Sequence, residues 1–329
     1  MQATRFGSTI SLEECLEDWL DHCDRRGLKI STARGYRTMA SLYIPAQLRR
    51  LPVGKVTSTQ IDELYDDLLR HGRKDGRGLA PVTVRKVHII LRSALGRAMK
   101  RGLITANPAL DAGAPKGRAC KPPVFPVWSP AELQHFLRSA RAHPHYAAFH
   151  LAACTGLRRG ELLGLRWCDL DLKNAILQVL QTVIVVNADV FVETPKSETS
   201  RRRVDLDSRT VEVLRKHQQT IAQARDYVLS VLERSSELVF SQATGEPIHP
   251  ALFSYSFQQQ VKRAGVHRIR LHDLRHTHAT LALQAGIHPK IVSERLGHSS
   301  ITITLDTYSH VLPTMQRDAA EQVAALIDV

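Results

Sequence analysis

The residue types able to do chemistry fall in four short segments between residues 155 and 310. Thr155-Gly-Leu-Arg-Arg-Gly-Glu-Leu162 sets Arg158 and Arg159 just after a glycine, at an expected helix start where backbone N–H groups also attract anions. Either arginine could grip an anion, or both are surface charges. Glu161, one turn beyond Arg158, could orient its guanidinium or be an exposed i,i+3 partner. His272-Asp-Leu-Arg275-His276-Thr-His278 reads as helix, which puts His272 and Arg275 on one face. The His272 and His276 spacing also echoes a zinc pair, but Asp273 stands where that motif carries its glutamate base. Leu296-Gly-His298-Ser-Ser is followed, ten residues after the histidine, by Tyr308 in Leu305-Asp-Thr-Tyr-Ser-His310. Alone, that tyrosine is core or surface filler. Lys196, in Thr194-Pro-Lys196-Ser-Glu-Thr-Ser-Arg-Arg-Arg203, alone reads as a solvated lysine reaching outward.

These side chains need a scaffold, and hydrophobic periodicity outlines one. Ser11 to Glu14 fits a capping box ahead of Leu12, Cys15, Leu16, Trp19 and Leu20, ending near Gly27. Runs from Thr32 to Ile44 and Ser58 to His71 predict two more helices, and Pro81 opens a fourth that Gly102 closes. Ala112 to Val127, with four prolines and two glycines, reads as a linker. Ser129-Pro130 then starts a second domain, with helices expected at about 130–142, 144–155 and 158–165. Residues 175–186, 190–194 and 202–206 are β-branched and predict one small antiparallel sheet. Helical patterns return at about 208–227, 250–264, 272–285, 288–296, 299–308 and 314–327, the last with Met315, Ala319, Val323 and Ile327 on one stripe.

With 329 residues, 43% hydrophobic and 23% charged, the chain should hold about two domains and is neither disordered nor collagen-like. The uncharged, β-branched stretch Ala175 to Ala188 is too short to cross a bilayer as a helix. Cys15, Cys23, Cys120, Cys154 and Cys168 form no CxxC pair, which fits a reducing cytoplasm. The net charge of +13 is concentrated: residues 1–128 carry 22 basic and 12 acidic side chains, net +10, and the rest carry 23 and 20, net +3. Such an excess suits a polyanion, and Arg34, Arg37, Arg85, Lys86, Arg92, Lys100 and Arg101 are candidate phosphate contacts.

In order and spacing, TGLRRGEL, HDLRHTHAT, LGHSSI and DTYSHV resemble the boxes of the tyrosine recombinase (phage integrase) family, over nearly the whole chain. The resemblance implies a mainly α protein: an N-terminal helical, SAM-like core-DNA-binding bundle at 1–112, a linker at 113–128, and a mainly helical catalytic domain with a small antiparallel sheet, the DNA breaking-rejoining fold, at 129–329. It implies Arg158 and Arg275 as catalytic arginines, Lys196 as the hairpin lysine and general acid, His272 and His298 as the catalytic histidines, Tyr308 as nucleophile and Glu161 in support. The expected activity is site-specific strand exchange through a 3′-phosphotyrosyl link, for phage or mobile-element integration and excision. A type IB topoisomerase-like enzyme, a chromosome-dimer recombinase and a catalytically silent DNA-binding regulator are the alternatives. Expected partners are double-stranded DNA, further copies in a tetramer on DNA from a free monomer, and accessory bending or directionality factors. No cofactor, metal or membrane is expected, and the expected location is the bacterial cytoplasm, with the nucleoid. Some relatives carry an arm-binding domain first. Only ten residues precede the first helix here, so simple core sites or a shortened chain are expected. The interval from His298 to Tyr308 is one residue longer than in some relatives.

The chemistry asks for the same set. A phosphodiester repels nucleophiles through its anionic oxygens, and two guanidinium groups on the non-bridging oxygens relieve that without metal. A phenol of pKa about 10 must lose its proton as it attacks, which suits a nearby imidazole such as His272 or the assembled electrostatic site.

Overall fold

The computed structural model describes residues 10–28, 30–117, 125–186, 189–193, 201–228 and 238–308, with isolated positions at 320, 324, 325 and 327. The chain divides into two compact units, Met1–Pro123 and Val124–Val329.

The first unit is a helical bundle: α1 Leu12–Arg25, α2 Ile30–Tyr43, the short α3 Ala46–Arg49, α4 Ser58–His71 and α5 Pro81–Lys100. Its helices start where the chain offers caps. Ser11 and Glu14 form the expected capping box, Thr57 and Gln60 form another, and Pro81 occupies the first turn of α5. Each helix turns an apolar stripe inward, so that Leu12, Leu20, Ile44, Ile61, Ile90, Leu91 and Leu95 are sealed from solvent. The α3 turn after Pro45 was not legible, since a proline that ends one helix can cap the next. The expected linker is shorter at both ends. Ala112 and Ala114 are buried in this core, the Gly113 N–H donates to Asp62, and Trp128 belongs wholly to the second unit.

The second unit packs α6 Pro130–Ser139, α7 Tyr146–Thr155, α8 Arg159–Leu163, α9 Ser208–Val228, α10 Pro250–Ala264, α11 Asp273–Gln284, α12 Pro289–Leu296 and α13 Ile301–Tyr308 with five short strands. Trp128, Phe136, Phe149, Phe253 and Phe257 form its aromatic centre, with successive ring centroids 4.8–6.0 Å apart. The expected single sheet is two. Among the described residues, β1 Leu170–Asp171, β2 Ile176–Val179 and β5 Arg202–Asp205 form one antiparallel sheet, and β3 Thr182–Val186 pairs with β4 Asp189–Glu193. The chain changes partner at Leu180 and Gln181, where the Gln181 amide donates to the Gly164 carbonyl. A run of β-branched residues does not show where pairing switches, because side-chain period alone does not fix register. The expected tail helix falls outside the described residues except at a few positions.

Candidate active site

The site is organised by two helix ends. At the C-terminus of α7, Gly156 adopts φ +65°, and a Cβ there would lie 2.6 Å from Leu296 Cδ2, so both its backbone and its neighbours call for glycine. The end of α12 closes in the same left-handed way at Gly297, φ +67°. These ends present carbonyls where the helix dipole is negative, and the arginines bind there. Arg275 donates to the Gly156 carbonyl at 2.8 Å and the Leu296 carbonyl at 2.7 Å, and Arg158 donates to the next carbonyl, Gly297, at 2.9 Å. Two guanidinium groups thus sit on adjacent carbonyls.

Arg158 and Arg275 are held unequally. Arg275 is buried at 4% exposure, and burial together with the like charge of Arg158 pushes its pKa down to about 9. Its charge is kept at a cost that an anion between the two would relieve. Arg158 is half-exposed and tied to Glu161 at 2.7 Å, while Glu161 also accepts its backbone N–H at 2.9 Å. Burial opposes ionisation of Glu161, but Arg202 and then Arg158 outweigh it and hold its pKa below the ordinary value. Arg202, buried like Glu161, donates to both carboxylate oxygens at 3.2 and 2.8 Å and to the Arg295 carbonyl. A role for Arg202 was hidden within a run of three arginines. Arg159 turns the other way, to the Pro250 carbonyl and Ser254 Oγ, so the structure separates neighbours that spacing left equivalent.

The histidines divide similarly. His298 Nδ1 lies 2.8 Å from the buried Thr304 Oγ1, and burial, followed by Arg275 and Arg158, lowers its pKa to about 4. His272 caps α11 at an exposed position, and partial desolvation, then Arg275, lowers its pKa. Tyr308, at the end of α13, is 2% exposed and packed with Ala279, Leu283, Val292 and Leu296. Burial pushes its pKa up to about 12 against the pull of Arg275. Its hydroxyl meets not His272 but His276, 2.7 Å away at Nδ1, a partner that the zinc spacing brought forward but no catalytic reading used. His278 points elsewhere, to the Ala153 carbonyl. Lys196 lies outside the described residues. Of the bundle candidates, Arg34, Lys86, Arg92 and Lys100 are exposed, and Arg85 donates to the Pro115 carbonyl. Arg37 meets Glu17, Asp21 and Asp24, and Arg101 meets Asp18, so their charge is already countered locally.

Burial lowers the pKa of His276, His278 and His298 to about 4 each. Between their unfolded value of 6.5 and about 4 the unfolded chain takes up protons that the fold refuses, so stability falls as pH drops through that window. Each group can withdraw up to about 3 kcal/mol. Melting temperature should therefore decline from pH 6.5 to 5, before the carboxylates titrate, and His278→Gln should reduce the slope. A flat profile there would remove the argument.

The sequence profile of the phage integrase family matches residues 129–315. A "Tyrosine recombinase XerC-like" protein of Caldanaerobacter subterraneus subsp. tengcongensis is 27% identical, with 95% of this chain and 82% of the relative covered. The ICEBs1 integrase of Bacillus subtilis is 26% identical over 84% of this chain and 72% of its own. Among solved structures, a Tn1549 transposon integrase in complex with a circular intermediate DNA superposes with TM-score 0.76 at 21% identity, covering 96% of this chain and all of that one. A lambda integrase tetramer bound to a Holliday junction gives TM-score 0.66 at 18% identity, covering 92% and 78%. At those identities the structural likeness speaks for the fold.

Proposed function

Because the chain belongs to the phage integrase family, we propose that it is a site-specific DNA recombinase that integrates and excises a mobile element through a phosphotyrosyl intermediate. The observation that carries this reading is the pair of guanidinium groups on the adjacent carbonyls of Leu296 and Gly297, with the Tyr308 hydroxyl 2.7 Å from His276, the next residue of α11 after Arg275. In the proposed step a scissile phosphate enters between Arg158 and Arg275. The Tyr308 oxygen bonds to phosphorus while its proton passes to a site imidazole. The bond to the 5′ oxygen breaks, and that oxygen takes a proton from Lys196. In the tautomer where Thr304 Oγ1 donates to Nδ1, 2.8 Å away, neutral His298 carries its proton on Nε2 and offers it to the phosphate. The new ester retains the energy of the old one, so rejoining needs no nucleotide.

The basic bundle would hold the duplex through phosphates, with Arg34, Lys86, Arg92 and Lys100 the better placed of the candidates. The tetrameric assembly seen for lambda integrase supports a tetramer here too. No helix among the described residues is long and apolar enough to cross a membrane, and we place the enzyme in the cytoplasm with the chromosome.

A plasmid bearing two copies of the element's joined ends tests the reading. Deletion or inversion between the copies, persisting in excess EDTA because arginines carry the charge a metal would bring, is the expected result. Relaxation without exchange, binding without cleavage, or a requirement for added metal would each overturn it.

A further inference from the structure

His276 is fixed on three sides. One face stacks on Phe125 with centroids 4.2 Å apart and planes 4° from parallel, the His272 ring stands perpendicular to it with centroids 5.3 Å apart, and its Nδ1 lies 2.7 Å from the Tyr308 hydroxyl. Phe125 is in turn covered by the Arg270 guanidinium, 5.7 Å from its centroid, and Arg270 is anchored to Asp273 one turn before His276. We propose that His276 is the positioning residue of the nucleophile, accepting the Tyr308 hydroxyl at Nδ1 so that the oxygen lone pairs are left for phosphorus. The inference rests on Tyr308 being the nucleophile.

Geometry argues for this over a merely satisfied buried hydroxyl. A phenol on a buried ring can rotate its hydrogen toward any acceptor in reach, and an acceptor held in one place decides where that hydrogen goes and so where the oxygen lone pairs lie. Tyr308 is buried against Ala279, Leu283, Val292 and Leu296, and this apolar packing fixes the ring without fixing the direction of its hydroxyl hydrogen. The stacked imidazole supplies the missing constraint, since it cannot tilt without leaving Phe125. At a pKa of about 4 His276 does not take the proton from the phenol, held at about 12, before attack, and receives it only as the oxygen bonds to phosphorus. Its neutral, accepting state is what the positioning role needs.

Three variants of the full chain test this in single-turnover cleavage of a nicked duplex from the element's ends, alongside DNA affinity and melting temperature. His276→Phe keeps the ring and its stack but has no Nδ1, and adduct formation should slow by about 30- to 100-fold with affinity within about twofold. His276→Asn places an amide near the lost Nδ1 and should recover at least about tenfold of that loss, while His276→Gln, whose amide lies one carbon farther, should not. The Asn and Gln comparison stands even if the Phe variant fails to fold. Parent-like cleavage by His276→Phe, equal rates for Asn and Gln, or affinity lost in step with rate would overturn the proposal. Tyr308→Phe runs beside them. If it still forms adduct, the nucleophile assignment falls and this inference with it; if it is inert while the His276 variants match the parent, only the His276 inference falls.

Discussion

Tyr308→Phe should fold, bind DNA with parental affinity and form no covalent adduct. The change removes one oxygen and keeps a ring packed against Ala279, Leu283, Val292 and Leu296. Its structural cost is one buried hydrogen bond, which leaves His276 Nδ1 unpaired and should lower stability by about 1 kcal/mol. Its chemical cost is the proposed nucleophile, and cleavage should fall by at least ~10⁴-fold. The two magnitudes are far enough apart that a folding defect cannot imitate the result. On a nicked duplex whose 5′-hydroxyl fragment diffuses away, the parent should accumulate a detergent-stable adduct that maps to Tyr308. An adduct on the Phe variant, or a label on the exposed Tyr255, would end the assignment.

Much of this was legible because it is local. The helices that matched their expected spans, such as Ser58–His71 and Pro250–Ala264, carry both a periodic apolar face and a boundary signal within a few residues. Arg158, Arg275, His298 and Tyr308 each stand in a short segment whose spacing can be read directly. What sequence does not carry is partnership across elements. Arg158 finds its carbonyl 139 residues away, Arg202 finds Glu161 at a separation of 41, and His276 finds Tyr308 at 32. Sharing a helix face says which residues look the same way, and not what they meet. That is why proton acceptance was assigned to His272, the histidine with the family spacing, while the hydrogen bond belongs to its neighbour one turn on. Charge counting failed for the same reason at Arg37: the total records a cation, and only the fold shows three carboxylates of α1 around it.

Arg275→Met should separate stability from catalysis most sharply. The substitution strips charge-assisted donors from the Gly156 and Leu296 carbonyls, at about 1–3 kcal/mol for each acceptor left dry. It also removes a buried cation that faces the like charge of Arg158, and an apolar side chain of similar length in such a place often recovers 1–4 kcal/mol, roughly. These terms oppose each other at similar size, so net stability should move by less than about 2 kcal/mol. Transition-state stabilisation has no such compensation. The phosphate loses one of two guanidinium groups, and single-turnover cleavage should fall by about 10³-fold, or ~4 kcal/mol. Arg275→Lys keeps a charge but gives up the planar fork that spans two carbonyls and, in the proposed step, would also grip the phosphate, and it should recover no more than about tenfold. Chemical denaturation and single-turnover cleavage on the same preparations decide the matter. A variant that unfolds in proportion to its lost activity would make Arg275 a structural residue, and one that cleaves within tenfold of the parent would remove it from the site.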